Sequence, residues 1–320
     1  MMQQEYLLEV EGLKKYFPLG KGRTLHAVDD VSFAIRPGET LGLVGESGCG
    51  KTTVGRTLLK LYKPDGGRII YRGEDITKVS GRRQRELCTH MQMIYQDPYA
   101  SLNPFMTIGE IVSEGLEINK IGANRMERTA MTYELLERVG LSREHANRFP
   151  HEFSGGQRQR AGIARALAVN PEFVVCDEAI SALDVSVQAQ IINMLMDLRE
   201  LMNLTYLFIA HDLSVVRYIS QRVAVMYLGK IVEIGKASEV YVHPAHPYTQ
   251  GLLGAVPVAD PDFEKSKTYQ AMVGEVTSPI NCKPGCRFAN RCPYATEECR
   301  TVTPDMKAVG ADHFVACHRL

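Results

Sequence analysis

Apolar positions in the first 75 residues follow the period of β-strands, apart from one stretch that has the period of a helix. Strand-like alternation covers residues 31–35 and stops at a Pro37-Gly38 turn, and an apolar run at 41–44 predicts a short buried strand. A further strand is predicted at 68–71, after a glycine pair. The helical stretch is residues 51–62, and its predicted inner face consists of Val54, Leu58 and Leu61.

Residues from about 107 to 169 have helical periodicity, and we predict an inserted helical subdomain at about 100–168. Its apolar faces include Ile108, Ile111, Val112, Leu116, Leu135, Leu136 and Val139. Beyond it, strands alternate with helices again. Strands are predicted at 173–176, 206–210 and 223–227, and one helix has an inner face of Val187, Ile191, Met194, Leu195 and Leu198. This alternation predicts an α/β fold with a largely parallel sheet covered on both faces.

Composition narrows the class of protein without identifying it. Of the 320 residues, 45% are hydrophobic and 23% are charged, which is typical of a globular chain of about two domains and excludes disorder and collagen. The 37 basic and 37 acidic residues cancel, so the chain lacks the overall basic charge of nucleic-acid-binding proteins, and we expect no nucleic-acid partner. No apolar stretch approaches the roughly 20 residues that span a bilayer. Because Glu5 and Glu9 do not fit a signal peptide, we expect a cytosolic location.

The character of the sequence changes after about residue 243, where prolines and turn residues accumulate. We place a domain boundary near 255, which predicts one domain at 1–255 and a second at 256–320. Five of the eight cysteines lie in the last 39 residues: Cys282, Cys286, Cys292, Cys299 and Cys317. Such crowding indicates that the second domain has a chemistry of its own.

The segment 45–52, with the sequence GESGCGKT, fits the G-x-x-x-x-G-K-[ST] pattern between a predicted strand and a predicted helix. Its glycines allow successive backbone N–H groups to surround a phosphate, and the helix N-terminus adds a positive dipole end. In this pattern Lys51 reaches the β- and γ-phosphates, and the Thr52 hydroxyl binds Mg²⁺. An ordinary glycine turn with a chance Lys-Thr pair is the alternative. The flanking strand and helix favour a phosphate site, and the thiol of Cys49 is interpreted as incidental.

Two carboxylates, Asp177 and Glu178, follow the apolar strand predicted at 173–176. At the C-terminal end of a strand near a phosphate loop, Asp177 can hold the water shell of Mg²⁺. Glu178 can orient and deprotonate an attacking water. A surface acidic pair is the alternative, and the phosphate loop makes the catalytic interpretation the better one. Together these motifs predict a nucleoside triphosphatase, but they do not say which kind.

The segment 153–157, with the sequence FSGGQ, opens a helix rich in Arg and Ala. Its serine hydroxyl and backbone N–H groups can bind phosphate, although an isolated pentapeptide of this kind could also be a simple helix cap. The segment resembles the LSGGQ signature motif of ATP-binding cassette (ABC) proteins, with Phe in place of Leu. The remaining motifs of that family are also present, in the family's order along the chain: Phe17, with Tyr16 as the second choice, as the adenine-stacking aromatic, Gln96 of the Q-loop, Asp184 of the D-loop and His211 as the switch histidine.

This resemblance covers about residues 5–255 and implies a P-loop NTPase (RecA-like) nucleotide-binding domain. It implies catalytic roles for Glu178, His211 and Gln96, and Mg²⁺ contacts from Thr52, Gln96 and Asp177. The nucleotide contacts that it implies are Phe17, Gly45, Ser47, Gly48, Gly50, Lys51, Thr52, Thr53, Asp177, Ser154, Gly155, Gly156, Gln157 and Asp184. In the family, the signature loop of one subunit covers ATP held by the other, so two ATP molecules lie between two subunits. One departure is Ala179, where the family usually has Pro after the Glu.

Further stretches resemble the ATPase subunits of dipeptide and oligopeptide importers: residues 96–103, 181–190 and 246–249, and the C-terminal extension with GCRF at 285–288 and RCPYA at 291–295. The implied partners are a second ATPase subunit, expected to be a different chain, two transmembrane permease subunits and, indirectly, a peptide-binding protein. The implied location is the cytoplasmic face of the inner membrane, where the chain would be peripheral. The alternative is a non-transport ABC ATPase acting on nucleic acid or the ribosome. A third hypothesis is a metal-cluster-binding sensor or structural module formed by the cysteines, with the cassette secondary.

The cysteines Cys286, Cys292, Cys299 and Cys317 have the spacing C-x₅-C-x₆-C-x₁₇-C. Cytosolic thiols rarely form disulfides, and thiolates bind both zinc and iron–sulfur clusters. Only Cys282-x₃-Cys286 has the short spacing of a zinc knuckle, and His313 and His318 could complete a zinc site. Four reduced thiols without a ligand are a further alternative. The quartet resembles the [4Fe–4S] ligands of dipeptide-importer ATPases, which favours the cluster and leaves Cys282 as the spare thiol.

Overall fold

The computed structural model describes residues 5–255 and 278–320, so residues 256–277, which open the predicted C-terminal extension, lie outside the described residues. The chain divides into two compact units. Among the described residues, the first unit contains 5–35, 40–77, 210–255 and 278–320, and the second contains 36–39 and 78–209. The described part of the C-terminal tail therefore belongs to the same unit as the segment 45–52.

The strands are β1 (Leu8–Gly20), β2 (Arg23–Ile35), β3 (Thr40–Val44), β4 (Gly66–Tyr71), β5 (Glu74–Asp75), β6 (Met91–Ile94), β7 (Phe173–Asp177), β8 (Thr205–Ala210), β9 (Arg222–Tyr227), β10 (Lys230–Lys236), β11 (Met306–Gly310) and β12 (His313–Ala316). The α-helices are α1 (Lys51–Leu58), α2 (Gly81–His90), α3 (Pro98–Ser101), α4 (Ile108–Ile118), α5 (Arg125–Arg138), α6 (Gly155–Leu167), α7 (Val185–Met202), α8 (Leu213–Ile219), α9 (Ala237–Val242), α10 (Pro247–Gly254) and α11 (Glu297–Thr301). Short 3₁₀ turns cover Arg143–Asn147 and Pro150–Glu152. None of these helices is both long and apolar enough to cross a membrane.

The first unit contains two sets of strands. An antiparallel sheet has the order β2-β1-β4-β5, and a second set has the order β11-β12-β10-β9-β3, in which only β3 and β9 are parallel. The sequence pattern did not predict β1 as a strand. Its pairing with β2 contains register shifts, and only Leu8, Val10 and Leu13 are buried, so period-two alternation does not persist along it.

The second unit contains the parallel strands β8-β7-β6 and most of the helices. Strands β7 and β8 are buried at every position, because helices cover parallel sheets on both faces. Helices α4, α5 and α6 lie within the region predicted to be helical, and α4 buries Ile108, Ile111, Val112 and Leu116, as its periodicity predicts. The α/β class expected from the sequence is confirmed, with more antiparallel strands than the term "largely parallel" suggested.

The prediction of a helix over 51–62 was wrong at its C-terminal end. Helix α1 ends at Leu58, and Lys60 has a left-handed backbone with a φ of 62°. A left-handed residue cannot continue a right-handed helix. The side chain of Leu61 consequently points away from the core and is 55% exposed, whereas Val54 and Leu58 are fully buried as predicted.

Candidate functional site

The segment 45–52 forms a loop between the fully buried strand β3 and helix α1, and we call it the phosphate loop. Gly50 is the N-cap of α1, with a φ of 110°, and no side chain caps this helix. A Cβ atom at Gly50 would lie 2.0 Å from the carbonyl oxygen of Ala27, so only glycine fits there. The first N–H groups of α1 therefore remain available to an anion.

Lys51 is the first residue of α1 and is only 4% exposed. Its Nζ donates hydrogen bonds to the carbonyl oxygens of Gly45 (2.8 Å) and Glu46 (3.1 Å), so the side chain lies back across the loop. Cys49 is buried, and burial raises the pKa of its thiol, which makes it a poor nucleophile. The remaining predicted contacts of this loop are Ser47 and Gly48, which are exposed, and Thr52 and Thr53, which are half-buried in the first turn of α1.

Glu46 of the phosphate loop is held by two residues distant in sequence. Its backbone N–H donates to the hydroxyl of Tyr248 (2.9 Å). Its carboxylate accepts two hydrogen bonds from the guanidinium of Arg291, at 2.8 and 3.0 Å. The hydrogen bond to Glu46 is the largest cause that raises the pKa of Arg291 above its usual value. No sequence pattern indicates this pair, because 245 positions separate its members.

The two candidate adenine-stacking residues lie on β1 in different surroundings. The hydroxyl of Tyr16 donates to Asp29 (2.6 Å), and its ring lies 4.3 Å from that of His26. Burial, followed by the hydrogen bond to Asp29, raises the pKa of Tyr16. Phe17 is half-buried and makes an edge contact with the ring of Tyr62 at 5.4 Å. Since Tyr16 is already engaged through its hydroxyl and its ring, Phe17 is the better platform for a planar ligand.

His211 belongs to the first unit and is exposed. It directly follows β8 and precedes Asp212, whose side chain caps helix α8 by accepting a hydrogen bond from the backbone N–H of Ser214. The cap fixes the chain just after the histidine.

Asp177 and Glu178, in the second unit, are placed by the end of β7. Asp177 is the last residue of the strand and is 2% exposed. Glu178 has a left-handed backbone with a φ of 46°, held by a hydrogen bond from its N–H to the carbonyl oxygen of Ile209 (3.0 Å). A non-glycine residue in this conformation costs about 1–3 kcal/mol and often marks a functional site. The side-chain amide of Gln96 donates to the Glu178 carboxylate at 2.8 Å, so two predicted catalytic residues are in direct contact.

The segment 153–157, which we call the signature loop, opens helix α6. Ser154 is the N-cap, and it forms a capping box with Gln157: the N–H of Gln157 donates to the Ser154 hydroxyl (3.3 Å), and the N–H of Ser154 donates to the Gln157 side chain (3.0 Å). Ser154 and Gly155 are exposed. A Cβ atom at Gly156 would lie 2.6 Å from the side chain of Val187, so this glycine lets the loop pack against the start of α7.

Asp184 caps helix α7, which begins beside the signature loop. Its carboxylate accepts hydrogen bonds from the hydroxyl of Ser186 (2.6 Å) and the N–H of Val187 (3.0 Å). These two bonds, that of Ser186 first, lower the pKa of Asp184, so the side chain is firmly anionic at neutral pH. Ala179, which replaces the usual Pro, is buried next to Glu178.

The four cysteines of the predicted cluster are free thiols; Cys299 is buried, and Cys286, Cys292 and Cys317 are half-buried. The N–H of Cys286 donates to the carbonyl oxygen of Cys299 (2.7 Å). The pKa of Cys286 is raised to about 11, chiefly by burial and also by the thiols of Cys299, Cys292 and Cys317. Within the ranges 5–255 and 278–320, no group of three or more His, Cys, Asp or Glu side chains is arranged to hold a metal ion.

The two histidines that could complete a zinc site have other partners. The imidazole of His313 lies 2.8 Å from the carboxylate of Glu233, and that of His318 lies 2.9 Å from the carbonyl oxygen of Val302. His313 is buried in this contact. Cys282 is half-buried in the loop that precedes the quartet.

Comparisons with known proteins identify two regions. Residues 28–181 match the family described as "ABC transporter", and residues 232–299 match "Oligopeptide/dipeptide transporter, C-terminal region". Among similar chains, the oligopeptide transport ATP-binding protein AppF of Bacillus subtilis (strain 168) is 51% identical over 322 residues, which cover 98% of each chain. The oligopeptide transport ATP-binding protein OppF of the same organism is 57% identical over 270 residues, which cover 83% of this chain and 87% of the relative.

A solved structure extends the likeness to the fold. The dimeric post-hydrolysis state of the ATP-binding cassette MJ0796, bound to ADP and Pi, is similar with a TM-score of 0.66 and 28% sequence identity. The match covers 72% of this chain and 98% of that one. The P-loop NTPase fold expected from the motifs is therefore confirmed.

Proposed function

The chain belongs to the ABC transporter family, and from this membership we infer that it is the ATP-hydrolysing subunit of an importer of oligopeptides or dipeptides. The observation that carries this function is the full-length similarity to oligopeptide transport ATP-binding proteins, which includes both the cassette and the C-terminal region. An ATP-binding subunit of this kind acts with membrane permeases and as part of a dimer of cassettes.

We assign ATP binding to the phosphate loop and its flanking elements. The uncapped start of α1 offers N–H groups to the phosphates, and Lys51 can exchange its two carbonyl partners for phosphate oxygens. Phe17 would stack on the adenine. Thr52, Gln96 and Asp177 would bind Mg²⁺, directly or through water. When bound, this ion neutralises charge on the β- and γ-phosphates.

We assign the hydrolytic step to Glu178, with Gln96 and His211 in supporting roles. Glu178 would accept a proton from the attacking water, since a carboxylate at hydrogen-bond distance from that water is the usual base in this chemistry. Its hydrogen bond with Gln96 supports this assignment, because the amide fixes the direction of the carboxylate. His211 would contact the γ-phosphate and help to hold the same water.

The exposure of the signature loop supports a role across a subunit interface. Ser154 and Gly155 are exposed, although they start a helix whose N-terminus can bind an anion. We propose that Ser154, Gly155, Gly156, Gln157 and Asp184 cover the ATP held by a second ATPase subunit, which is expected to be a different chain. ATP would then stabilise the closed dimer, and its hydrolysis would release it.

We place the subunit at the cytoplasmic face of the inner membrane, as a peripheral protein bound to two permease subunits. A peptide-binding protein would deliver the peptide to the permeases. Expression with the neighbouring membrane genes and purification from detergent-solubilised membranes tests this placement. We expect the chain to co-purify with two permease chains, and recovery without any membrane protein would contradict the importer assignment.

A substitution tests the action across the interface. Ser154→Arg should abolish the ATP-dependent dimer of this chain with its partner ATPase subunit, measured by size-exclusion chromatography with the hydrolysis-deficient Glu178→Gln background, because a bulky cation blocks closure. ATP binding by the single chain should be unaffected. Ser142→Arg, at another exposed serine that precedes a helical turn of the same unit, is the matched control and should leave the dimer intact. A closed dimer in the Ser154→Arg chain would refute the role in trans.

We further propose that Cys286, Cys292, Cys299 and Cys317 bind a [4Fe–4S] cluster. Support comes from the donor set, since four thiols suit such a cluster, and from their proximity around Cys286. Their present arrangement is not that of metal ligands, so the ligand loops would have to close around the cluster. A bound cluster would crosslink the small tail, which has few apolar residues of its own.

Anaerobic purification tests the cluster. We expect a brown protein with about four irons per chain. Cys286→Ser should remove the colour, and Cys282→Ser, which changes the spare thiol, should not. One zinc per chain without iron would support the zinc alternative instead, and His313 and His318 would then be tested as its ligands.

A further inference from the structure

A short part of the tail, residues 279–291, runs along the phosphate-loop side of the first unit, and we call it the anchor segment. The N–H of His26 donates to the carbonyl oxygen of Pro279 (2.9 Å). Thr24 and Asn281 exchange two hydrogen bonds, one through the Asn281 side chain (2.8 Å) and one through its backbone N–H (2.9 Å). The start of the anchor segment is thus fixed to β2.

Two arginines of the anchor segment pair with acidic residues of the cassette. Arg287 donates to the carboxylate of Asp29, which also accepts the hydroxyl of Tyr16 beside the proposed adenine platform. Arg291 donates to Glu46 through both of its terminal nitrogens. The two arginine side chains are only 9% and 8% exposed, respectively. The planar two-point pairing that Arg291 makes with Glu46 is stronger and more directional than a single contact.

An aromatic cluster holds the anchor segment in place between these pairs. Phe288 is 1% exposed, and its ring lies 5.3 Å from that of Tyr227, 5.4 Å from that of Tyr248 and 5.8 Å from that of His246. Tyr248 also binds the N–H of Glu46, so the same cluster contacts the phosphate loop directly. Arg291 therefore presents its guanidinium to Glu46 from a rigid support.

We propose that Arg291 is a positioning residue for nucleotide binding, which it serves by neutralising and orienting Glu46. This inference rests on the proposed function of the phosphate loop as the ATP site. Glu46 places a carboxylate in a loop that has to accept a polyphosphate, and like charges repel. The two-point pair compensates that charge. It also fixes the residue whose carbonyl oxygen holds Lys51 at 3.1 Å.

If Arg291 acts by neutralising Glu46, the Glu46 carboxylate should weaken ATP binding only when Arg291 is missing. Substitutions at both positions therefore distinguish an electrostatic role of Arg291 from a packing role. Arg291→Gln should weaken Mg·ATP binding by about tenfold, a typical coupling between interacting sites. Glu46→Gln should change the affinity little. The double variant Arg291→Gln/Glu46→Gln should regain most of the affinity, since neither partner then carries a charge. A purely structural role for Arg291 would leave the double variant as weak as the single one.

The test is the dissociation constant of the full-length chain for Mg·ATP, measured by calorimetry at low and at high salt, together with the KM and kcat of the assembled transporter. We expect Arg291→Gln to raise the KM for ATP with a smaller change in kcat. The affinity loss should shrink at high salt, because ions screen the unpaired carboxylate. Lys283→Gln removes an exposed cation from the same segment and is the control, which should bind ATP like the wild type.

The outcomes are distinguishable from a failure of the proposed function. If the wild-type chain binds no ATP, the assignment of the phosphate loop fails. If the wild type binds and Arg291→Gln binds equally well, or if the double variant shows no recovery, only the positioning role is refuted. Should Arg291→Gln not fold, as judged by thermal unfolding, Arg291→Lys decides: it keeps the charge, so the proposal requires an affinity loss smaller than about tenfold, and a loss of tenfold or more would refute it.

Discussion

The phosphate loop and the signature loop are both glycine-rich starts of helices, yet they are built in opposite ways. Helix α1 has no side-chain cap, and its first residue, Lys51, is buried among contacts from the same unit. Helix α6 is capped by Ser154 and Gln157, and Ser154 and the first helical residue, Gly155, are exposed. A helix without a cap leaves its N–H groups to a ligand, whereas a capped helix is stable before any ligand arrives.

This difference suits the phosphate loop and the signature loop to different parts of the ATP binding that we propose. The phosphate loop is held by residues distant in sequence, such as Arg291 and Tyr248. The signature loop is capped by its own side chains, which suits the role across a subunit interface that we propose for it. Binding of nucleotide and recognition by the partner should therefore respond to different substitutions.

The largest effect is expected at the proposed base. Glu178→Gln should lower the ATPase rate of the assembled transporter by about 10²–10⁴-fold, the usual cost of losing a general base. ATP binding should persist, because the phosphate loop is unchanged. Glu200→Gln, an exposed carboxylate of the same unit, should retain the wild-type rate. A Glu178→Gln transporter with normal turnover would assign the base to another residue.

Lys51→Ala should lower turnover by about 10²–10³-fold, since a preorganised charge on the transferred phosphate is lost. In contrast to Glu178→Gln, it should also abolish tight binding of Mg·ATP by the single chain. Lys63→Ala, at an exposed lysine shortly after the same helix, is the control. If Lys51→Ala binds nucleotide normally, the phosphate loop is not the nucleotide site, and its contrast with the capped signature loop has no functional meaning.

Acid should loosen the support of the phosphate loop. Burial lowers the pKa of His246 from 6.5 to about 4, and its ring contacts Phe288 while its Nδ1 accepts the N–H of Tyr248. The unfolded chain binds this proton at higher pH than the folded chain, so stability falls as the pH drops from about 6.5 toward 4. The free energy of unfolding in urea should decrease by about 2 kcal/mol between pH 7 and pH 5 through this group.

Glu233 is a second titratable group beside His246, and it accepts the backbone N–H of His246. A variant that removes only the imidazole therefore shows how much of the pH dependence comes from His246. His246→Asn keeps a side-chain acceptor for the N–H of Tyr248 and should flatten the pH dependence. An unchanged pH dependence in this variant would attribute the acid effect to another group.

The smallest effect is expected at the cap of the signature helix. Ser154→Ala should lower the free energy of unfolding by about 1 kcal/mol, the usual cost of losing an N-cap acceptor. Ser154→Asp, which restores an acceptor, should recover that loss. Helix α1 has no such cap to lose. No change on Ser154→Ala would mean that the capping box contributes nothing to the stability of the second unit.

Sequence reasoning succeeded where the information is local. The segment 153–157 was predicted to open a helix and the pattern around Lys51 to place a loop between a strand and a helix, as the structure does. It failed where the outcome depends on one backbone angle or on distant partners. The left-handed Lys60 ended α1 early, and no periodicity reveals it. The contact of Arg291 with Glu46 joins positions 245 apart and depends on how the tail folds back.

The long separation between Glu46 and Arg291 also orders events during synthesis. A ribosome adds about 5–20 residues per second, so the 245 residues from the one after Glu46 up to and including Arg291 take about 12–50 s to make. During that interval the nascent chain contains the phosphate loop but not the Arg291 guanidinium that pairs with the Glu46 carboxylate. We expect it to bind nucleotide more weakly than the finished protein. If Arg291 positions Glu46 as we propose, tight ATP binding begins only once the tail has been made.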